Sequence, residues 1–147
     1  MERGLILKKG TIVDSTIISA PSSTKNKEKK RDPDAHQVKK GNTWHFGYKA
    51  HIGVDRDSGL VHTVEATAAN VHDATETSKL LTGDEDEVYG DSGYLGAEKR
   101  GDAIIRNKAG RKIKYRINRR PSQVKKLSKS GQYAAKKAEQ AKSSVRA

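Results

Sequence analysis

Two aspartates stand where a carboxylate could do chemistry. Asp14 interrupts the β-branched run TIVDSTII, which is typical of a strand that enters a protein interior, and Asp91 follows the short run VYG. A buried carboxylate is costly unless a hydrogen bond, a cation or a metal ion compensates its charge. In open α/β sheets, ligand sites form beyond the carboxyl ends of neighbouring strands. If these two strands are adjacent, both carboxylates converge there.

A convergent carboxylate pair has two alternative explanations. A divalent metal would relieve the repulsion between the two charges. Mg²⁺ binds carboxylates, waters and substrate phosphates, and two such ions can clamp the attacking and leaving oxygens of a phosphoryl transfer. The structural alternative is that each Asp hydrogen-bonds a neighbouring turn, since the Asp-Ser-Gly unit at 91–93 is common turn chemistry. Spacing alone leaves both alternatives open.

The elements that must position these residues can be predicted from hydrophobic periodicity. Residues 10–18 predict the first strand, and residues 44–55 and 60–68 predict a hairpin. Residues 70–83 predict a helix with Asp73 as its N-cap, an explanation that competes with a His72–Asp73 catalytic dyad. The other predicted elements are a long loop at 19–43, strands at 88–90 and 103–107, a helix from Ala97, a basic linker at 108–123 and a C-terminal helix at 131–147. This order predicts a mixed α/β sheet.

The strand at 44–55 alternates between apolar and polar residues. Such alternation is typical of a half-buried strand whose apolar face packs inward and whose polar face meets solvent. Trp44 is predicted to pack in the core, with stacking on a nucleic-acid base as the alternative. The predicted inner face contains Phe46, Tyr48, Ala50, Ile52 and Val54, and the predicted solvated face contains His45, Lys49, His51 and Asp55.

Charge is distributed unevenly along the 147 residues, which suit a single domain. The net charge is +12, and residues 101–147 contain 15 Lys and Arg against 2 Asp and Glu, whereas residues 1–100 contain 15 and 16. A basic block of this kind predicts nucleic acid as a partner. There is no cysteine, no apolar run of membrane-spanning length and no signal-peptide pattern, so an intracellular soluble protein is expected.

Basic residues in two segments are candidates for contacts with DNA phosphates. The second set is the stronger one, because almost no acids accompany it in the sequence. The candidates are Lys25 and Lys27 after the first strand, and Arg111, Lys112, Lys114, Arg116, Arg119, Arg120 and Arg146.

Three blocks of the chain resemble a known family in their order and spacing: GTIVDSTIISAPSSTKN, KKGNTWHFGYKAHIGVDRDSGLVHTVEATAANVHDATE and VYGDSGYLGAEKR. They resemble the catalytic domain of bacterial insertion-sequence transposases of the DDE type, most closely the group founded on insertion sequence five. The resemblance runs from about Gly4 to Ala147. It implies a ribonuclease H-like fold, Mg²⁺ or Mn²⁺ as cofactor, and cut-and-join chemistry on transposon ends and target DNA, with self-association as a further expectation. It makes Asp14 the first and Asp91 the second catalytic, metal-binding acid.

The chain departs from the family at the third acid. That acid is a Glu which follows an Arg, matched here by Arg146, and it would lie just beyond Ala147; Glu139 lies too early in register. We therefore expect a transposase fragment with impaired catalysis. Residues 1–107 would form a partial catalytic core, and residues 108–147 the basic linker and C-terminal helix of the same domain. The alternative is a non-catalytic basic protein that binds DNA or RNA. The expected compartment is the cytoplasm, in association with the nucleoid.

Overall fold

The computed structural model describes residue 7, residues 9–21 and residues 30–143. Within this part of the chain, six strands form one mixed sheet, flanked by short helices. The strands are β1 (Gly10–Ser19), β2 (His36–Lys40), β3 (Thr43–Asp55), β4 (Val61–Ala68), β5 (Glu87–Gly90) and β6 (Lys114–Ile117). The helices are α1 (Asp73–Glu76), α2 (Pro121–Val124) and α3 (Lys129–Ser143), with 3₁₀ turns at Thr77–Leu80, Ser92–Tyr94 and Ala97–Lys99.

The first strand lies at the centre of the sheet. β1 pairs antiparallel with β3 on one side and parallel with β5 on the other, and β5 pairs parallel with β6. β3 also pairs antiparallel with β2 and with β4. A central strand with an antiparallel hairpin on one side and parallel strands on the other is the ribonuclease H-like arrangement, so the predicted fold class is confirmed.

The predictions for β1, β3, β4 and β5 are confirmed, whereas those for the segments 19–43, 103–107 and 108–123 are wrong. The predicted loop at 19–43 contains β2, which pairs with the start of β3. Residues 103–107 form no strand; Arg106 makes only an isolated bridge to Lys112. The sixth strand instead comes from the predicted basic linker, where Ile113, Tyr115 and Ile117 alternate with charged residues.

The helix predicted at 70–83 is much shorter than expected. α1 has four residues, and the chain then tightens into the 3₁₀ turn Thr77–Leu80. The Thr75 and Thr77 hydroxyls donate to the carbonyls of His72 and Ala74, at 2.6 and 3.1 Å. Such local bonds compete with regular helical bonding. In the part of the chain that is described, no helix has the length and apolar character needed to cross a membrane.

The hydrophobic core lies on one face of the sheet. Its buried members are Val13, Leu80, Val88, Tyr94 and Ile113, which join β1 and β5 to the segments that follow α1 and precede β6.

A buried acid, Glu85, links the loop before β5 to β1 through hydrogen bonds. Its Oε1 accepts hydrogen bonds from Thr11 Oγ1 (3.0 Å) and from the Thr82 amide (2.6 Å), while its Oε2 accepts from the Gly83 amide (2.8 Å). The charge is therefore compensated by hydrogen-bond donors, as burial requires.

Replacing Glu85 by Gln is expected to lower the free energy of unfolding by about 1.5–3 kcal/mol, because one carboxylate oxygen becomes an amide group that cannot accept a hydrogen bond. Urea denaturation measures the loss. Asp84→Asn is the matched control, because Asp84 forms a surface pair with Lys108, and such pairs contribute at most about 1 kcal/mol. Equal losses for the two variants would show that the buried hydrogen bonds of Glu85 contribute no more to stability than a surface ion pair does.

The buried face of β3 is the one that the sequence predicts to be solvated. Lys49 and His51 are 8% and 0% exposed, and Asp55 is also fully buried. The residues predicted to face inward, among them Tyr48 and Ile52, are half-buried. The reason is that α1 and the 3₁₀ turn after it pack on the polar face, where Gly53 lies against the Leu80 carbonyl with no room for a side chain. Trp44 is 63% exposed, so its predicted core packing is also wrong.

Candidate active site

Asp14 lies on β1, and Asp91 comes directly after the neighbouring strand β5. β1 and β5 run parallel with Thr11 opposite Val88 and Ile12 opposite Tyr89, so the same register continued by two residues brings Asp14 level with Asp91. Asp91 directly follows β5 and keeps an extended backbone, with φ −79° and ψ −176°. Neighbouring strands lie about 4.8 Å apart, and alternate residues share a face. A regular continuation of both strands would therefore set the two aspartates at neighbouring positions on the same face.

Each of these carboxylates is oriented by the backbone next to it. Asp14 Oδ1 accepts a hydrogen bond from the Ser15 amide at 3.0 Å. Asp91 Oδ1 accepts one from the Gly93 amide at 2.9 Å and so caps the 3₁₀ turn Ser92–Tyr94. The turn contact of the structural alternative is thus present at Asp91, but it uses one oxygen. No described residue hydrogen-bonds to Oδ2 of Asp91, which leaves that oxygen available to a ligand.

A third carboxylate, Asp73, borders the same small space as Asp91. A side chain added at Gly93 would place its Cβ 3.0 Å from Asp91 Oδ1 and 3.3 Å from Asp73 Oδ2. Asp73 is not the helix N-cap that the sequence predicts. His72 has that position, and its Nδ1 accepts from the Ala74 amide at 3.3 Å.

A buried lysine holds Asp73 in place. Lys49 Nζ donates to Asp73 Oδ1 at 2.9 Å and to the Val71 carbonyl at 2.8 Å, and the two side chains are 10% and 23% exposed. An ammonium group out of water needs such a partner. The pair also shows why α1 starts where it does, because the carboxylate that could have capped the helix is turned toward β3.

His51 lies next to this ion pair. Thr67 Oγ1 donates to the Ala68 carbonyl, so in its 2.8 Å contact with His51 it accepts from Nε2–H. The other ring nitrogen, Nδ1, is then unprotonated; it faces Asp73 Oδ1 at 3.9 Å and has no hydrogen-bond partner among the described residues. Burial lowers the pKa of His51, against the opposite effect of Asp73, and favours this neutral form.

A tyrosine closes the inner side of the site. Tyr94 is fully buried in the core, and burial together with the nearby Asp73 and Asp91 charges raises the pKa of its phenol. The phenol therefore stays protonated and adds no charge near the two carboxylates.

A groove of about 660 Å³ opens outward from Asp91. It lies between the end of β5, the segment after β6, and helices α2 and α3. Glu139 on α3 lines the same groove as Asp91, although its register does not match the family's third acid. The charged and aromatic residues on its walls are Asp91, Arg119, Lys125, Tyr133, Lys136 and Glu139.

Several of the predicted phosphate-binding residues are ion-paired within the chain. Arg111 pairs with Asp86 at 2.9 Å and Arg116 with Glu87 at 2.8 Å. Acids are scarce near these residues in the sequence but not in the fold, because parallel pairing of β6 with β5 sets the basic run beside the acidic run 84–87.

The other predicted phosphate-binding residues are spread over the fold. Lys112 and Lys114 are exposed beside Arg111, at the end of the parallel strands away from Asp91. Arg119 and Arg120 follow β6 on the side of Asp91 and are exposed, and Arg119 lines the groove. Lys25, Lys27 and Arg146 lie outside the described residues.

Sequence reasoning missed the Lys49–Asp73 pair and the groove residues on α3. Gln132, Lys136 and Glu139 are spaced by four and three positions, which places them on one face of a helix. That periodicity was a usable signal. For Lys49 and Asp73 there was none, because only the packing of α1 on β3 brings them together.

Comparison with known proteins adds an independent finding. A family model described as "Transposase DDE domain" matches residues 6–144, which is nearly the whole chain. No solved structure matches the chain.

Proposed function

Because the chain belongs to the transposase DDE domain family, we propose that it acts in DNA transposition through a divalent metal ion held by Asp14 and Asp91. The transposase role in general follows from the family. The observation that supports the metal site is the parallel register of β1 and β5, whose continuation by two residues would bring Asp14 level with Asp91.

The donor set suits Mg²⁺ or Mn²⁺. Hard divalent cations take carboxylate oxygens together with waters and phosphate oxygens, and Asp91 has one oxygen free of hydrogen bonds within the described residues. When bound, such an ion would polarise a phosphodiester and help to activate a water or a 3′-hydroxyl. The protein's own part is positioning: the Ser15 and Gly93 amides fix the two carboxylates before any ligand arrives.

We propose further that this chain catalyses poorly by itself. Within the described residues, no group of three His, Cys, Asp or Glu side chains is placed to hold a metal ion. Two carboxylates can bind one ion, but a second ion needs a further acid to fix its place, and clamping both reacting oxygens depends on two ions. The partners of this function are transposon-end and target DNA, with a second copy of the chain as a further candidate, and the compartment is the cytoplasm, at the nucleoid.

Binding of Mn²⁺ tests the metal site without requiring catalysis. Asp14→Asn and Asp91→Asn are each expected to weaken Mn²⁺ binding at least about tenfold, because each removes a charged ligand. Electron paramagnetic resonance of free Mn²⁺ during a titration measures the affinity.

The matched control is Asp102→Asn, which removes an exposed carboxylate paired with Arg100 and should leave the affinity unchanged. If all three variants bind Mn²⁺ as the wild type does, Asp14 and Asp91 have a structural role, and the non-catalytic nucleic-acid-binding alternative is favoured.

A further inference from the structure

The groove beside Asp91 has features that the metal site does not require. We propose that it binds a segment of single-stranded DNA, with the phosphates along Arg119, Lys125 and Lys136 and a base stacked on Tyr133. This inference rests on the proposed function and deepens it, because it gives one DNA strand a defined place next to the carboxylates.

The first argument is that the basic side chains of the groove are exposed and have no ion-pair partner within the described part of the chain. Arg119, Lys125 and Lys136 make no ion pair with any residue that the structure describes, and all three are exposed. Arg111 and Arg116, by contrast, have their charges compensated by Asp86 and Glu87. A cation already paired with a carboxylate has to give up that partner to bind a phosphate. The groove cations have no such cost, so they are better placed to take phosphates and release counterions.

The second argument is the aromatic ring. Tyr133 is 71% exposed on α3 and lines the same groove as the cations. An exposed ring in a groove that also contains cations is the combination by which proteins bind single strands with little sequence preference, because every base can stack on the ring.

The third argument is size. The groove encloses about 660 Å³, within the range of about 300–1,000 Å³ typical of small-ligand sites. That volume suits a nucleotide or two of one strand. A duplex, in which the bases are stacked inside and paired, would reach the cations with its backbone but could not place a base on Tyr133.

The two acids on the groove walls limit where the phosphates of the strand can lie. Asp91 and Glu139 repel a phosphate unless a cation intervenes, and Asp91 belongs to the proposed metal site. The strand would therefore meet the three basic side chains along the groove and come to the carboxylates only where a divalent ion compensates the charge. This arrangement delivers one phosphodiester to the metal site and keeps the others on the basic side chains.

The charge argument is tested by two matched double variants. Lys125→Ala/Lys136→Ala removes two charges from the groove, and Lys112→Ala/Lys114→Ala removes two exposed charges from the opposite end of the parallel strands. Fluorescence anisotropy with a labelled single-stranded oligonucleotide measures affinity over a range of salt. The groove variant is expected to lose at least tenfold in affinity and to reduce the salt slope by about 1.4, at about 0.7 for each phosphate contact on a single strand. Equal or larger losses in the Lys112/Lys114 variant would overturn the assignment.

The stacking argument is tested by Tyr133 itself. Tyr133→Ala is expected to weaken single-strand binding about fivefold or more, whereas Tyr133→Phe keeps the ring and should bind nearly as the wild type does. Photocrosslinking with an oligonucleotide that carries 5-iodouracil should attach at Tyr133. Trp44 is the control, because it is also exposed and lies under Lys39 at 6.0 Å. Attachment at Trp44, or equal binding by Tyr133→Ala, would refute the groove as the single-strand site.

These outcomes separate the inference from the proposed function. If the wild-type chain binds no DNA at low salt, the proposed function fails, and the groove fails with it. If the wild type binds DNA and the groove variants bind equally well, only the groove assignment is wrong. The substituted side chains are exposed, so all variants should fold, which circular dichroism checks.

Discussion

Replacing Asp73 by alanine is expected to lower the free energy of unfolding by about 3 kcal/mol, because it leaves the buried Lys49 ammonium without its partner. A small domain is stable by about 5–15 kcal/mol in total, so a substantial part of its stability would be lost. Urea denaturation at neutral pH measures the change. The dependence of the free energy of unfolding on urea concentration should be the same for the variant and the wild type.

Lys49→Met and the double variant Lys49→Met/Asp73→Ala complete a double-mutant cycle with Asp73→Ala. Lys49→Met is expected to cost only about 1 kcal/mol, for the lost hydrogen bond to the Val71 carbonyl, because Asp73 is partly exposed and can take up water. In the double variant no uncompensated charge remains, so it should be more stable than Asp73→Ala alone. Additive losses would show that the 2.9 Å contact between the two side chains does not couple them energetically.

The purified chain is expected to bind plasmid DNA and yet to nick it no faster than background with Mg²⁺. Both reacting oxygens of a phosphoryl transfer are stabilised only when two ions are held in place, and a loosely held ion forfeits the preorganisation that usually contributes most to catalysis. Conversion of supercoiled to relaxed plasmid measures the rate, and Asp14→Asn serves as the blank.

Robust nicking that disappears in Asp14→Asn would contradict this expectation. It would mean that a further acid within the chain completes the site, and Glu139→Gln and Asp73→Asn would then identify which one. Glu139 lines the groove with Asp91, and Asp73 Oδ2 and Asp91 Oδ1 both border the space next to Gly93. Loss of nicking in one of these variants, with Mn²⁺ binding retained, would assign the role.

Strands could be predicted where the residue pattern within the strand itself identifies them. The β-branched run around Asp14 and the alternation along 44–55 identified β1 and β3 within a residue or two. Their neighbours in the sheet were not predictable from periodicity, because pairing depends on the whole topology. The two aspartates could therefore be placed on or next to strands from the sequence, whereas the pairing of β1 with β5 follows only from the fold.

The wrong predictions for the faces of β3 and for the β6 segment share one physical cause. Alternation shows that the faces of a strand differ, but it does not say which face another element will cover. On β3 the covered face contains Lys49 and His51, because α1 brings Asp73 and the Val71 carbonyl to meet the ammonium. On β6 the high charge obscured the alternation of Ile113, Tyr115 and Ile117, whose strand conformation is stabilised by the neighbouring β5.

The parallel pairing of β1 with β5 also has a consequence for the order in which the chain folds. β3 and β4 are joined by a short turn and can pair early, whereas β1 and β5 are separated by the whole hairpin and α1. Long-range pairing is slow, because the closure of the intervening loop costs entropy before any contact is gained. During synthesis, Asp14 leaves the ribosome long before Asp91, and the two meet only after β5 has been made. A nascent chain that lacks β5 therefore has nothing yet to pair with this side of β1, so the central part of the sheet is completed late.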